Sequence, residues 1–308
     1  MPNIQPNDKR DNYIVLARKF HEQNEEEKAL NFLEKAIEFN EDINKEIEIL
    51  YEVALIADKL GYKERALSTY QDIIDINDRE AGAYYGQAII YDDLGKKEKS
   101  KSLYEKTISI DEKYDRAYFY LANIYDELGD KEKGIEYYEK TIKLNTEDYM
   151  AHNNLGSIYE EIGEYSKSKE YLLKSIKINP KYYRSFYNMG VVEKRLGNEN
   201  DAIKYYDKSL DLYKEYPYTY LNKSVIFIEK GDLYRAIEIL TEGIKNNPTA
   251  GFLYYNRACS YAKLDDKNRA FFDLRKAITI LDDFRSIARK DKDFRKYLDD
   301  KEFINIVK

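Results

Sequence analysis

The chain has 308 residues, 43% hydrophobic and 35% charged, with only 13 Gly, 5 Pro and one Cys. It is longer than the usual single domain, apolar enough to build a core, and poor in the breakers of a turn-rich β fold. A net charge of −7 argues against bulk attraction to nucleic acid or anionic membrane, and the lone Cys259 excludes an intrachain disulfide framework and a multi-cysteine metal site.

Residues 1–9 read as a short polar tail. Met1-Pro2-Asn3-Ile4-Gln5-Pro6 holds no apolar run of signal-peptide length. No later segment is apolar for long enough to span a bilayer, so the cytoplasm is the default expectation.

From residue 10 the chain repeats. Leu121-Ala122-Asn123-Ile124-Tyr125 is echoed by Leu155-Gly156-Ser157-Ile158-Tyr159, and the same offset of 34 carries Gly61 to Gly95, Gly129, Gly163, Gly197 and Gly231. Units span 10–43, 47–80, 81–114, 115–148, 149–182, 183–216, 217–250 and 251–284, with three extra residues after the first. Position 8 of the units holds Ala17, Ala54, Ala88, Ala122, Gly156, Gly190, Ser224 and Ala258. Position 20 holds Ala29, Ala66, Ser100, Gly134, Ser168, Ala202, Ala236 and Ala270. Small residues are roughly a fifth of ordinary usage, so sixteen of sixteen by chance is of order 10⁻¹¹. The physical reading is a pair of helices per unit that cross closely at these two positions.

Large residues flank the crossing. Position 4 has Tyr13, Tyr84, Tyr118, His152 and Phe186 among others, position 11 is mostly aromatic, and position 24 includes Tyr70, Tyr104, Tyr138 and Tyr206. Spacings of 3, 4 and 7 within each half are helical. The recurrent Gly at position 15 suits a left-handed residue ending the first helix, and Pro180 and Pro248 end the second. Units one and eight carry Asn24 and Asp265 at position 15 instead. After residue 284 the period stops. Residues 285–308 are expected to form a helix that caps the last unit, the alternative being a tail that docks in a neighbouring molecule.

These columns resemble the tetratricopeptide repeat: large at 4, Leu-Gly-like at 7 and 8, Tyr at 11, Ala at 20, aromatic at 24, Pro at 32. The resemblance implies an all-α, right-handed α-solenoid superhelix of about eight helix-turn-helix units. It departs from the family pattern in lacking Trp at position 4 and in placing Ile73, Thr107 and Thr141 at the usually small position 27. The family's first helices line a concave groove, with positions 2, 5, 6, 9 and 12 facing it. Position 6 then puts Asn154, Asn188, Asn222 and Asn256 in a ladder, and a primary amide supplies two donors and an acceptor for a peptide backbone. It is similar to the asparagine ladder in the repeat superhelix of the O-linked N-acetylglucosamine transferase, without that enzyme's catalytic domain. Asn153, Tyr187 and Tyr255 at position 5 would add area beside the amides.

A second comparison is with the carboxylate clamp of chaperone-binding tetratricopeptide domains. Asn123, Asn154 and Arg184 fit its pattern, while Phe119 and Asn188 replace two cations, which predicts weak capture of a single carboxylate at Arg184. Acids gather at the ends of three first helices, Asp92-Asp93, Asp126-Glu127 and Glu160-Glu161, and the sign changes at Lys194-Arg195. A groove that turned from acidic to basic would bind a basic segment in a salt-sensitive way; a solvated face is the plainer reading.

No catalytic set emerges. His21 and His152 are the only histidines, too few with Cys259 for a zinc site, and no Gly-rich phosphate loop occurs. His152 stands in the large-residue column and reads as a packed position, and Cys259 as a buried thiol without a base. The expectation is a non-enzymatic, bacterial-type cytoplasmic scaffold that needs no cofactor or metal and holds a protein or peptide partner, as an extended segment or a helix. No membrane contact is expected. A single-stranded RNA binder using Tyr stacking lacks a basic track, and a homo-oligomer built through the C-terminal segment is the remaining alternative.

Overall fold

The computed structural model describes residues 6–40 and 42–308. Among them there is no strand. Sixteen helices follow as eight antiparallel pairs: α1 (Pro6–Glu22) with α2 (Glu26–Glu38), α3 (Ile43–Lys59) with α4 (Lys63–Ile76), α5 (Ala81–Asp93) with α6 (Lys97–Ile110), and α7 (Asp115–Glu127) with α8 (Lys131–Leu144). The next four pairs are α9 (Tyr149–Glu161) with α10 (Tyr165–Ile178), α11 (Tyr183–Arg195) with α12 (Glu199–Leu212), α13 (Pro217–Glu229) with α14 (Leu233–Asn246), and α15 (Gly251–Lys263) with α16 (Lys267–Ile280). The chain divides into two compact units, residues 1–146 and 147–308. The first holds four pairs; the second holds four pairs and a C-terminal segment. No helix among the described residues is long and apolar enough to cross a membrane.

Helix α1 begins at Pro6, inside the expected polar tail. Proline suits the first helical turn because its missing N–H has no helical partner there and its φ is already set. Residues 1–5 of that tail lie outside the described residues.

All sixteen small residues at positions 8 and 20 are buried. The approach is close enough that Ser168 Oγ donates to the Gly156 carbonyl at 2.6 Å across the α9–α10 crossing. A Cβ added to Gly190 would stand 2.5 Å from the Tyr206 ring. Each pair turns on a left-handed residue: Gly129 has φ 80°, and Asn24 and Asp265 adopt 58° and 61° in the two units that lack the glycine. Asn and Asp tolerate this region better than other side chains.

Much of the aromatic wealth is spent inside the pairs. Position 11 stacks on position 23 in three repeats: Phe20 on Phe32 at 5.3 Å, Tyr125 on Tyr137 at 5.4 Å and Tyr159 on Tyr171 at 5.6 Å, all within 12° of parallel. Two repeats replace this stack with buried charge. Glu193, at position 11 of the sixth repeat, is paired with Lys169 at 2.6 Å and accepts from Asn198 at 2.8 Å. In the eighth, Arg257 grips the fully buried Asp273 through two bonds of 2.7 and 2.8 Å. His152 is buried beside Tyr171, a packed position.

The C-terminal segment is three short pieces rather than one helix: α17 (Asp283–Ala288), a 3₁₀ turn (Lys292–Tyr297) and α18 (Lys301–Val307). Asp291 and Asp300 break it, because their carboxylates accept the backbone N–H groups of Asp293 and of Glu302 and Phe303, starting a new turn each time. The pieces lay Ala288, Phe294, Phe303, Ile306 and Val307 against the eighth pair. Arg285 and Arg289 hold the Ile306 and Lys308 carbonyls at 2.8 Å, the groups that a helix C-terminus leaves unbonded.

Candidate interaction surface

In the second unit the first helices α9, α11, α13 and α15 each present an Asn at position 6. The structure does not leave these amides idle. Asn188 Nδ2 donates to Asn153 Oδ1 at 3.0 Å, and Asn222 Nδ2 donates to Tyr187 Oη at 2.9 Å. Both bonds run from position 6 of one repeat to position 5 of the repeat before it, 35 residues back. Where position 5 is Leu221 no such acceptor exists, and Asn256 turns to its own helix, donating to the Phe252 carbonyl at 2.8 Å. Among the described residues the half-buried Asn188 and Asn256 therefore keep one N–H each, Asn222 also lies beside the Tyr206 hydroxyl, and the Oδ1 atoms of all three accept nothing. Asn154 is half-buried and accepts from Asn153 Nδ2 at 3.1 Å.

Asn153 itself is only 3% exposed. Its carbonyl also takes the Ser185 hydroxyl at 3.2 Å, so it acts as a buried junction between α9 and α11 and offers no surface. Tyr187 is half-buried, edge-on to Tyr216 at 5.0 Å, and burial, with the Tyr216 hydroxyl next, pushes its pKa up to about 12. Tyr255 leaves the surface as well. It is buried under the C-terminal segment, stacked on Phe284 at 4.9 Å, and its hydroxyl donates to Asp291 at 2.7 Å.

Cys259 lies 3.7 Å from the same Asp291 carboxylate; burial and that charge raise its pKa, which keeps the thiol protonated. Cys259, Asp291 and Asp293 place donor atoms within 4.8 Å of one another, a grouping that counting His and Cys alone overlooks. Tyr255 already occupies Asp291, and Lys263 pairs with Asp293 at 3.2 Å, so the cluster works as an anchor for the terminal segment.

Arg184 is exposed at the start of α11. Its Nε donates to Tyr183 Oη at 3.2 Å, and no carboxylate among the described residues pairs with it. An aromatic edge adjoins it: Tyr183 meets Tyr213 at 4.7 Å and Tyr216 at 5.1 Å, Tyr216 meets Tyr218 at 5.5 Å, and Tyr218 stacks on Phe252 at 5.2 Å. Reading each column for single residue types missed this edge, because its members come from positions 1, 2, 31 and 34 of successive repeats.

In the first unit Asn123 accepts a hydrogen bond from the buried Tyr138 hydroxyl. Phe119 carries no charge, but the Arg116 guanidinium lies 4.4 Å over its ring, a cation contributed by position 2 that the sequence comparison passed over. The acids expected at helix ends are mostly paired. Lys63 meets Asp93 at 2.9 Å, Lys97 meets Glu127, and Lys131 meets Asp126 at 2.6 Å. In the second unit Arg195 meets Glu160 and Lys194 meets Glu229, both at 3.0 Å. The charge is nonetheless uneven. Residues 1–146 carry 22 Lys and Arg against 32 Asp and Glu, net −10; residues 147–308 carry 29 against 26, net +3.

Profiles described as tetratricopeptide repeat match residues 81–114, 151–182, 183–216, 217–249 and 253–280, and a second profile of the same description matches 115–148, together more than half of the chain. None of the curated proteins matches its sequence. Among solved structures, a tetratricopeptide repeat protein from Parabacteroides merdae superposes with a TM-score of 0.63 at 18% identity, covering 85% of this chain and 99% of that one. PilF of Pseudomonas aeruginosa gives 0.58 at 18% identity over 70% of this chain and 99% of that one. The Cut9–Hcn1 hetero-tetramer of the APC/C gives 0.62 at 16% identity over 97% of this chain and 56% of that one. At these identities the likeness concerns the fold. With the crossing residues, the left-handed turns and the matched repeats in agreement, the chain belongs to the tetratricopeptide repeat family.

Proposed function

We propose that this protein is a non-catalytic scaffold that holds a segment of a partner protein along the first-helix face of its second unit. The observation that carries the reading is the line of position-6 amides. Asn188, Asn222 and Asn256 are half-buried, and among the described residues each retains a free carbonyl, and Asn188 and Asn256 a free N–H, one amide per repeat. An extended backbone offers alternating donors and acceptors, so such a line supports it with little regard to side chains. Two of these asparagines are also held by the preceding repeat, which fixes their orientation before a partner arrives and lowers the entropy lost on binding. Asn154 opens the line, Arg184 with its tyrosine edge forms one border, and Val191 and Val225 at position 9 give an apolar floor. The packed C-terminal segment covers the eighth repeat of its own chain, which favours a partner protein over self-assembly through that segment.

The test begins with a photoreactive amino acid in place of Asn222 in the full chain, used to capture the partner from the native cytoplasm. The affinity of that partner is then measured for the chain carrying Asn154→Ala, Asn188→Ala, Asn222→Ala and Asn256→Ala together. A loss of at least tenfold with unchanged helicity is expected, two lost hydrogen bonds being worth about that much. An unchanged affinity would refute the amide line as the binding surface.

A further inference from the structure

The third repeat, in the first unit, contains two polar groups that lack the partners their counterparts in the fourth repeat have. The first is Asp92, at position 12 near the end of α5. In repeats two and four the same column holds Asp58 and Asp126, each paired with the lysine five residues further on, at 2.8 Å to Lys63 and 2.6 Å to Lys131. The corresponding lysine of the third repeat, Lys97, turns instead to Glu127 of the next repeat. Asp92 is left half-buried, with no hydrogen bond or ion pair to its carboxylate among the described residues; burial raises its pKa, the more distant charge of Lys97 opposes that rise, and Asp93 adds to it.

The second group is the Tyr104 hydroxyl, at position 24 on α6. The ring is fully buried, stacked on Tyr120 at 5.5 Å and tilted against Tyr85 at 5.9 Å. Among the described residues its hydroxyl has no hydrogen-bond partner, as is also true of Tyr206 in the same column of the sixth repeat. The equivalent hydroxyl one repeat later, on Tyr138, reaches the Asn123 amide at position 9 of the first-helix face. In the third repeat position 9 is Ile89, which cannot accept, so the Tyr104 hydroxyl stops beneath that face unsatisfied. The carboxylate acting most strongly on it is Asp92. Ile89, one turn before Asp92 on α5, is half-buried and packs on the cluster that contains Tyr104.

A buried hydroxyl and a half-buried carboxylate without partners each carry an unmet desolvation cost. A group bearing several N–H donors and a positive charge would answer both at once. The surrounding unit, net −10, attracts such a group and repels an anionic one. We infer that the Asp92–Tyr104 site in the third repeat receives the ammonium group of a lysine side chain from a partner, one N–H to the Asp92 carboxylate and another to Tyr104 Oη, with Ile89 shifting rotamer to admit it. Lysine suits the site better than arginine because its three donors diverge from one nitrogen, whereas a guanidinium seeks two parallel bonds to one carboxylate. The site lies in the other unit from the amide line and does not depend on it.

The test is a low-salt titration of the full-length protein, ¹³C-labelled at isoleucine δ1 methyls, with a capped pentapeptide holding one lysine between glycines. Parallel arms use the Nε-acetyllysine peptide, the arginine peptide and an all-glycine peptide with a free amino terminus. The Ile89 methyl signal is expected to shift and saturate with the lysine peptide and to stay still with the acetylated one. Binding is expected to weaken about fivefold in Asp92→Asn and again in Tyr104→Phe, each having lost one hydrogen bond. The variant lacking the four position-6 asparagines should titrate like the parent, which separates this site from the amide line. A silent Ile89, an equal response to acetyllysine, or equal affinity in Asp92→Asn overturns the proposal; equal or tighter binding of the arginine or free-amine peptide overturns the assignment to lysine. Should Tyr104→Phe disturb the fold, the half-exposed Asp92→Asn decides alone.

Discussion

The buried pair of the eighth repeat gives the sharpest prediction about what holds this chain together. Asp273 is 1% exposed and receives two guanidinium bonds from Arg257, whose Nη1 also donates to Thr241 at 2.9 Å. Replacing Asp273 by Leu leaves the Arg257 charge among Tyr254, Tyr261 and the α16 face without a counter-ion. Breaking a buried pair on one side typically costs 3–5 kcal/mol. The Arg257 side chain is still 14% exposed, so water can reach part of it, and the lower end, about 3 kcal/mol, is expected. Replacing both residues by Leu gives positions 7 and 23 the apolar character that Leu121 and Tyr137 have in the fourth repeat, and should return stability to within about 1 kcal/mol of the parent. Urea unfolding followed by circular dichroism at 222 nm measures the total. Hydrogen exchange at the amides of Phe271 and Leu274 reads the eighth repeat itself, because repeat arrays open piecewise. A single variant that costs under 1 kcal/mol, or a double variant as unstable as the single, would refute the claim that charge burial rather than lost packing dominates.

Two glycine substitutions should differ for separate reasons. Gly129→Ala meets no atom within 4 Å but is held at φ 80°, so it should cost about 1 kcal/mol through backbone strain alone. Gly190→Ala has ordinary helical φ but drives its methyl to 2.5 Å from the Tyr206 ring and should cost more, up to about 3 kcal/mol; chemical denaturation of the two variants ranks them. The chain should also unfold in alkali over a defined window. Burial pushes the pKa of Tyr70, Tyr187 and Tyr220 up to about 12. Folded-state values above the ordinary value of about 10 mean that the stabilisation is complete below pH ~10 and is lost as pH rises toward 12. Tyrosinate absorbance near 295 nm and helix content should therefore change together in that range; buried tyrosines that titrate near pH 10 with the helices intact would contradict the burial.

The repeat was legible without coordinates because it depends on local sterics that recur every 34 residues. Only Ala, Gly or Ser lets two helices cross as closely as Ser168 and Gly156 do, and only a left-handed residue turns the chain between them, so both requirements print themselves on the columns. Even the exceptions Asn24 and Asp265 kept the φ that their position demanded. The pairing of polar groups was not legible in this way, because it depends on which neighbour a side chain reaches across repeats. Asn222 is tied back because position 5 of the previous repeat is Tyr187, while Asn256 is not because its counterpart is Leu221. Asn153 and Tyr255 stood in surface columns yet became buried, one as a junction between helices and the other as the seat of the C-terminal segment. The joint departure of Arg257 and Asp273 at positions 7 and 23 was visible in the sequence only when two columns were read together. By itself the sequence determined the helix pairs, their length and their turns, since these follow from side-chain size and backbone conformation within one repeat. Only the tertiary structure decided which amides, hydroxyls and carboxylates remain unsatisfied, since that depends on partners across the helix pair, such as Asn123 for Tyr138, or in the neighbouring repeat, such as Asn153 for Asn188.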